Sequence, residues 1–104
     1  MSLKDFYLML KKLNIPVAYD HFAERTDCPY LIYIDEGKNR FLADNTIYTK
    51  RRAISIELYT DVKDPNLDEQ IEALFESAEI IWRDEATVWI EKEQMYLHRY
   101  YAEI

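Results

Sequence analysis

One cysteine and two histidines are the side chains of this 104-residue sequence best suited to chemistry near neutral pH. Nucleophilic catalysis by Cys28 would need a base beside it and a third group to orient that base. His21 is near in sequence, but its spacing from Cys28 matches no cysteine-enzyme signature, and a thiol before a strand reads as a small, half-buried apolar group. Asp20, His21 and Glu24 form the one cluster with metal-ligand spacing, and His98 is remote from them. A single glycine excludes a glycine-rich phosphate loop. The expectation is a protein without enzymatic activity, with no catalytic residue, no metal and no cofactor.

Charge is the second source of chemistry. The formal net charge of −7 argues against nucleic acid as a partner and against an anionic membrane surface. It is unevenly spread: residues 1–52 hold nine Lys and Arg against seven Asp and Glu, whereas residues 53–104 hold four against thirteen. Lys50-Arg51-Arg52 forms a basic run on an expected strand, where alternation puts Lys50 and Arg52 on one face and Arg51 on the other. Such a run either meets an acidic surface or keeps a strand edge from aggregating. Asp68, Glu72 and Glu76 repeat at i, i+4, a like-charge spacing that weakens a helix, and no Lys or Arg occurs between Lys63 and Arg83 to relieve it. That uncompensated face is a candidate dock for a basic partner, including the basic strand of another copy.

Aromatic residues are the third. There are nine Tyr and two Trp, more than a core of this size absorbs, and Tyr and Trp are common at interfaces. Candidate contact residues are therefore Leu8, Lys38, Arg40, Lys50, Arg52, Asp68, Glu72, Glu76, Tyr96 and Tyr100.

The elements that must position them follow from periodicity. Leu3, Phe6, Tyr7, Leu10 and Leu13 make one stripe of a helix over about 3–13, opened by Ser2 and Asp5 in a capping box and stopped by Asn14 and Pro16. Leu8 falls off that stripe. Residues 17–29 read as irregular, Tyr30–Ile34 as a strand, Asp35–Arg40 as a polar turn followed by Phe41–Asn45, and Ile47–Tyr59 as the longest strand. Asp64-Pro65 opens a second helix that buries Leu67, Ile71, Leu74 and Ala78, with Phe75 at the edge. Ile80–Trp82 fits a strand or the end of that helix. Thr87–Glu91 and Met95–Tyr101 read as a hairpin turning at Lys92-Glu93-Gln94. The expected fold is α+β in the order α-β-β-α-β-β, an antiparallel sheet with two helices packed on one face, as a single domain over 1–104.

The sequence also resembles a family of short proteins of tailed phages and Gram-positive prophages, of the tail-completion, tail-terminator and head–tail joining kind. The resemblance rests on Pro16-Val17-Ala18-Tyr19-Asp20-His21-Phe22 after a short helix, Pro29-Tyr30 at a strand start, and Ala43-Asp44-Asn45. It continues through Ile54-Ser55-Ile56-Glu57-Leu58-Tyr59-Thr60 and Lys63-Asp64-Pro65. It implies a virion assembly protein without enzymatic activity that joins or caps a tail. Its partners would be other copies of itself in a ring, a hexamer being one form, and tail-tube or connector proteins. The Asp35–Asn45 loop is the segment expected to reach a neighbour. The alternative reading is a monomeric acidic binding module, a DNA mimic or inhibitor acting on a host nucleic-acid-binding protein. The acidic N-terminus (Met1-Ser2-Leu3-Lys4-Asp5) and the lack of a long apolar run suggest a cytoplasmic protein, and the resemblance implies that this is a bacterial host's cytoplasm during assembly and then the virion.

Overall fold

The computed structural model describes residues 1–38 and 51–104, and the elements follow the local signals closely where those signals are strong. Helix α1 spans Leu3–Leu10 and tightens into a 3-10 turn over Lys11–Leu13. Its capping box is formed: Asp5 N–H donates to Ser2 Oγ at 3.0 Å, and Ser2 N–H donates to the Asp5 carboxylate at 3.4 Å. Asn14 stops it in the left-handed region at φ 59°, a conformation asparagine tolerates. Strand β1 is Val17–Tyr19, β2 is Tyr30–Lys38 and β3 is Arg52–Thr60. Helix α2 spans Pro65–Ser77 and is capped by Asp64, which accepts from Leu67 N–H at 3.1 Å. Strands β4 (Ile81–Asp84), β5 (Val88–Ile90) and β6 (Met95–Glu103) complete the chain.

The sheet runs β1-β2-β3-β6-β4, with β5 also on the outer side of β6. It is mixed rather than antiparallel throughout, because β1 and β2 run parallel, Val17 opposite Leu31. The stretch expected to be irregular therefore holds a strand, three residues long and too short to show alternation. Two further boundaries differ from expectation. Asp35–Lys38 is not a turn but the end of β2, which passes a bulge between Asp35 and Gly37. Gly37 sits there at φ 96°, where a side chain would strain the backbone, and its N–H donates to Asp35 Oδ1 at 2.8 Å. The alternative endings of Ile80–Trp82 resolve as a strand. Asp84 lies opposite Tyr100 and Val88 opposite Leu97, so residues 85–87 face only residues 98 and 99: β4 and β5 are one edge strand broken by an extra residue. The Phe41–Asn45 segment and the expected start of β3 at Ile47 lie outside the described residues.

Alternation places Leu31 and Tyr33, Ile54, Ile56 and Leu58, and Tyr100 and Ala102 on one sheet face. Phe6, Met9 and Leu10 of α1 and Leu67, Ile71 and Phe75 of α2 join them in one buried cluster. Phe75 is its hub rather than its edge. The Phe75 ring lies 6.2 Å from Phe6, 5.7 Å from Tyr100 and 6.0 Å from Trp82, tying both helices to the last strands. Truncating a fully buried aromatic ring removes its transfer energy and leaves a cavity, so Phe75→Ala should cost about 3–5 kcal/mol in urea denaturation. Leu8→Ala, on the exposed side of α1, should leave the midpoint nearly unchanged.

Candidate interaction surfaces

Within the trio Asp68, Glu72 and Glu76 on α2, the first two do not face solvent freely. Helix spacing carries Asp68 and Glu72 toward β6, and strand alternation brings His98 and Tyr100 to meet them. His98 is buried between two aspartates: Nδ1 lies 2.8 Å from Asp68 Oδ1, and Nε2 lies 2.8 Å from Asp84 Oδ2 on β4. Each ring nitrogen thus has a carboxylate oxygen within hydrogen-bond distance. The Tyr100 hydroxyl donates to Glu72 at 2.9 Å and approaches Asp68 at 3.4 Å, with its ring 4.2 Å from that of His98. The like-charge repulsion along α2 is thus relieved by a histidine and a phenol of the neighbouring strand rather than by Lys or Arg.

This corrects the reading of the acidic face. Asp68 and Glu72 belong to an internal polar cluster, and Glu76 is the member of the trio that stays exposed. Tyr100 is not a surface tyrosine: it is fully buried. Arg52 is only partly exposed and forms an ion pair with Asp35, so part of its charge is neutralised within the chain. Tyr96 is half-buried, its ring 4.8 Å from Trp89 and 5.9 Å from the Lys63 ammonium. Leu8 is exposed, as its place off the α1 stripe predicts. Lys38 ends β2 opposite Arg52. Arg40 and Lys50 lie outside the described residues, as does most of the Asp35–Asn45 loop.

The structure also exposes large apolar residues outside the candidate contact set. Ile81 on β4 is 54% exposed, and Val88 and Trp89 on β5 are 51% and 43% exposed. All three sit on the broken outer strand, which pairs only with β6 among the described residues. Ile81 and Val88 project from the face without helices, being opposite Glu103 and Leu97, and Trp89 projects from the other. The β-branched and aromatic run Val88-Trp89-Ile90 fits a strand, but does not say that this strand ends the sheet.

The candidate chemical residues are not brought together. His21 Nδ1 lies 2.8 Å from Asp20 Oδ2 on an exposed loop, Cys28 lines a different cavity from His98, and burial followed by the charges of Asp61 and Asp27 pushes the thiol up. Asp68 and Asp84 lie on opposite sides of the His98 ring and cannot converge on one ion. Among the described residues, no three His, Cys, Asp or Glu side chains are placed to hold a metal. No protein-family model matches the sequence, and no curated protein matches it. Fold and surface together define a small α+β domain with one helical layer on a mixed sheet.

Two outcomes follow from the polar cluster. His98→Ala removes the ring that both aspartates approach and should lower stability by about 1–3 kcal/mol in urea denaturation, whereas Glu76→Gln should leave the midpoint unchanged. Burial first, then the bond to Glu72 and the nearby carboxylates, hold the Tyr100 phenol far above its ordinary value of 10.0. The folded chain therefore keeps a proton that the unfolded chain loses, so this stabilisation is complete below about pH 10 and declines as pH rises beyond it. Tyr100→Phe should flatten that alkaline decline, read from denaturation midpoints at pH 8 and above 10.

Proposed function

We propose that this protein is a non-enzymatic assembly protein that joins copies of itself, and then neighbouring structural proteins, through the β4–β5 edge. The observation that carries the reading is the row of Ile81, Val88 and Trp89, three large apolar side chains exposed along one strand at the sheet's margin. An edge strand offers unpaired N–H and C=O groups to another chain, and natural proteins ordinarily protect such edges with charge or proline. Here Arg83, Asp84 and Glu85 put charge at the middle of the edge, but Ile81 on one side of them and Val88 and Trp89 on the other leave apolar side chains exposed. The opposite margin is β1, with Tyr19 47% exposed. Two different margins on one sheet favour head-to-tail contacts, which close into a ring when the rotation between copies permits. The sequence resemblance supplies the setting, the tail end or head–tail junction of a tailed phage or prophage, with tail-tube or connector proteins as the next partners.

The first test is the mass of the purified chain by light scattering. The expected result is a species several times the 12.6 kDa of one chain, reduced to a monomer by Ile81→Lys with Val88→Lys while the circular dichroism spectrum is kept. Particles from an induced strain lacking the reading frame should show unjoined heads and tails, or tails of abnormal length, by electron microscopy. A monomeric chain together with normal, infectious particles would sink the proposal. Salt-sensitive binding of that monomer to a host nucleic-acid-binding protein would then favour the acidic binding module.

A further inference from the structure

The outer surface of the helical layer carries a cleft of about 300 Å³ between the two helices. Leu8, Met9 and Lys12 of α1 form one side, and Leu74, Ser77 and Ala78 at the end of α2 form the other. Leu8 is 52% exposed at its rim. Charge is sorted across this layer. On α1, Lys4 and Lys11 flank Tyr7, which packs toward Tyr33 of β2, so they mark the side of the helix away from the cleft. On α2, Glu72 bonds Tyr100 of β6, and Glu69 and Glu76 stand one turn to either side of it, again away from the cleft. Lys4, Lys11, Glu69 and Glu76 are exposed, and none forms an ion pair with a described residue. Between the basic flank and the acidic one lie Leu8 and the exposed, uncharged Ala73 and Ser77, with Asp5 and Lys12 balancing each other beside the cleft.

Such a layer is complementary to itself. An acidic partner would match the α1 flank alone, and a basic partner the α2 flank alone. A surface that meets both needs the same charges in the opposite order, and a second copy supplies it. A two-fold axis lying in the contact and passing between the helices turns α1 of one copy onto α2 of the next, and the reverse. Basic flank then meets acidic flank twice, and each Leu8 meets Ala73 and Ser77, residues small enough for close approach. We propose that the helical layer is a second self-contact, at which two copies pair face to face across the α1–α2 cleft. The pairing does not use the β4–β5 margin. Where that margin closes copies into a ring, the helical contact joins two rings back to back, since a two-fold contact added to a ring gives dihedral symmetry. One such contact is weak. It buries a single large apolar side chain per copy and otherwise relies on exposed ion pairs, so two free chains pair only near about 0.1–1 mM. Several contacts acting in parallel hold two rings together at far lower concentration.

The test uses the full, isotopically labelled chain carrying Ile81→Lys and Val88→Lys, so that its outcome is independent of the β4–β5 contact. Backbone amide signals are followed on dilution from about 1 mM to about 20 µM. The signals of Leu8, Lys12, Ala73 and Ser77 should shift with concentration, and about 0.5 M salt should weaken the pairing several-fold. Lys4→Glu with Lys11→Glu should abolish the concentration dependence, because the altered chain repels its own copies. Glu69→Lys with Glu76→Lys should abolish it for the same reason. Mixed in equal amounts, the two charge-reversed chains should pair with each other, the labelled one shifting at Leu8 and Ser77 only when the other is added. Three results would each overturn the proposal: no shifts up to about 1 mM, reversed chains that fail to pair when mixed, or shifts centred on Tyr19 or Trp89 while Leu8 and Ser77 stay still.

Discussion

Tyr100 is fully buried where the helical layer meets the sheet, and its hydroxyl is hydrogen-bonded there. An unpaired hydroxyl at that depth would cost on the order of 1–3 kcal/mol, so the element packed over it has to bring an acceptor. Glu72 is that acceptor, and its neighbour one turn earlier, Asp68, is drawn to His98 by the same geometry. The requirement fixes the rotation of α2 about its axis. It also sets Phe75 against Phe6 and Trp82, and through Phe6 it places α1. A second aspartate, Asp84, closes the His98 ring from the other side and ties the start of the broken edge strand to the same cluster. One polar cluster thus links α2, β6 and the sheet margin.

That link explains which parts of the structure were legible in the sequence. The capping box at Ser2 and Asp5, the Asp64-Pro65 start of α2 and the hairpin turning at residues 91–94 depend on neighbours within a few positions, and they form where local chemistry puts them. Strand β1 and the end of β2 depend on partners more than ten residues away. In the first case three residues carry no period, and in the second Asp35-Glu36-Gly37 has turn composition because a bulge and a turn both want glycine. The inward rotation of Asp68 and Glu72 was hidden for a related reason. Their partners are 28 to 32 positions later in the chain, and a search for Lys and Arg alone overlooks them. The signal was present in the pairing of an i, i+4 carboxylate pattern on a helix with an i, i+2 pattern of His and Tyr on a strand.

The two sheet faces have different physical characters. The helical face is closed by apolar packing. The other face holds a row of mutually satisfied charges and hydroxyls at its centre: Arg99 Nη2 lies 2.7 Å from Glu57, Tyr59 donates to the same carboxylate, and Tyr101 bonds Glu85. Groups already paired in this way gain little by exchanging partners, so the centre of that face is a poor docking surface. The β4–β5 margin differs, since Ile81 and Val88 there expose apolar surface to solvent.

The rotation of α2 also decides which feature is best suited to drive the proposed assembly. Read as a solvated acidic helix, α2 would attract a partner through Asp68, Glu72 and Glu76 together. With two of those three bonded inward, what remains are exposed single charges such as Glu76, and exposed ion pairs contribute about 0–1 kcal/mol and weaken with salt. Burying one large apolar side chain contributes about 1.5–3 kcal/mol and is insensitive to screening. Ile81, Val88 and Trp89 offer three such side chains on one strand, beside backbone groups that a neighbouring strand can pair. By magnitude, then, the edge outweighs the helix. The residual acidity of the C-terminal half is better suited to steering an oppositely charged partner toward contact than to holding it there.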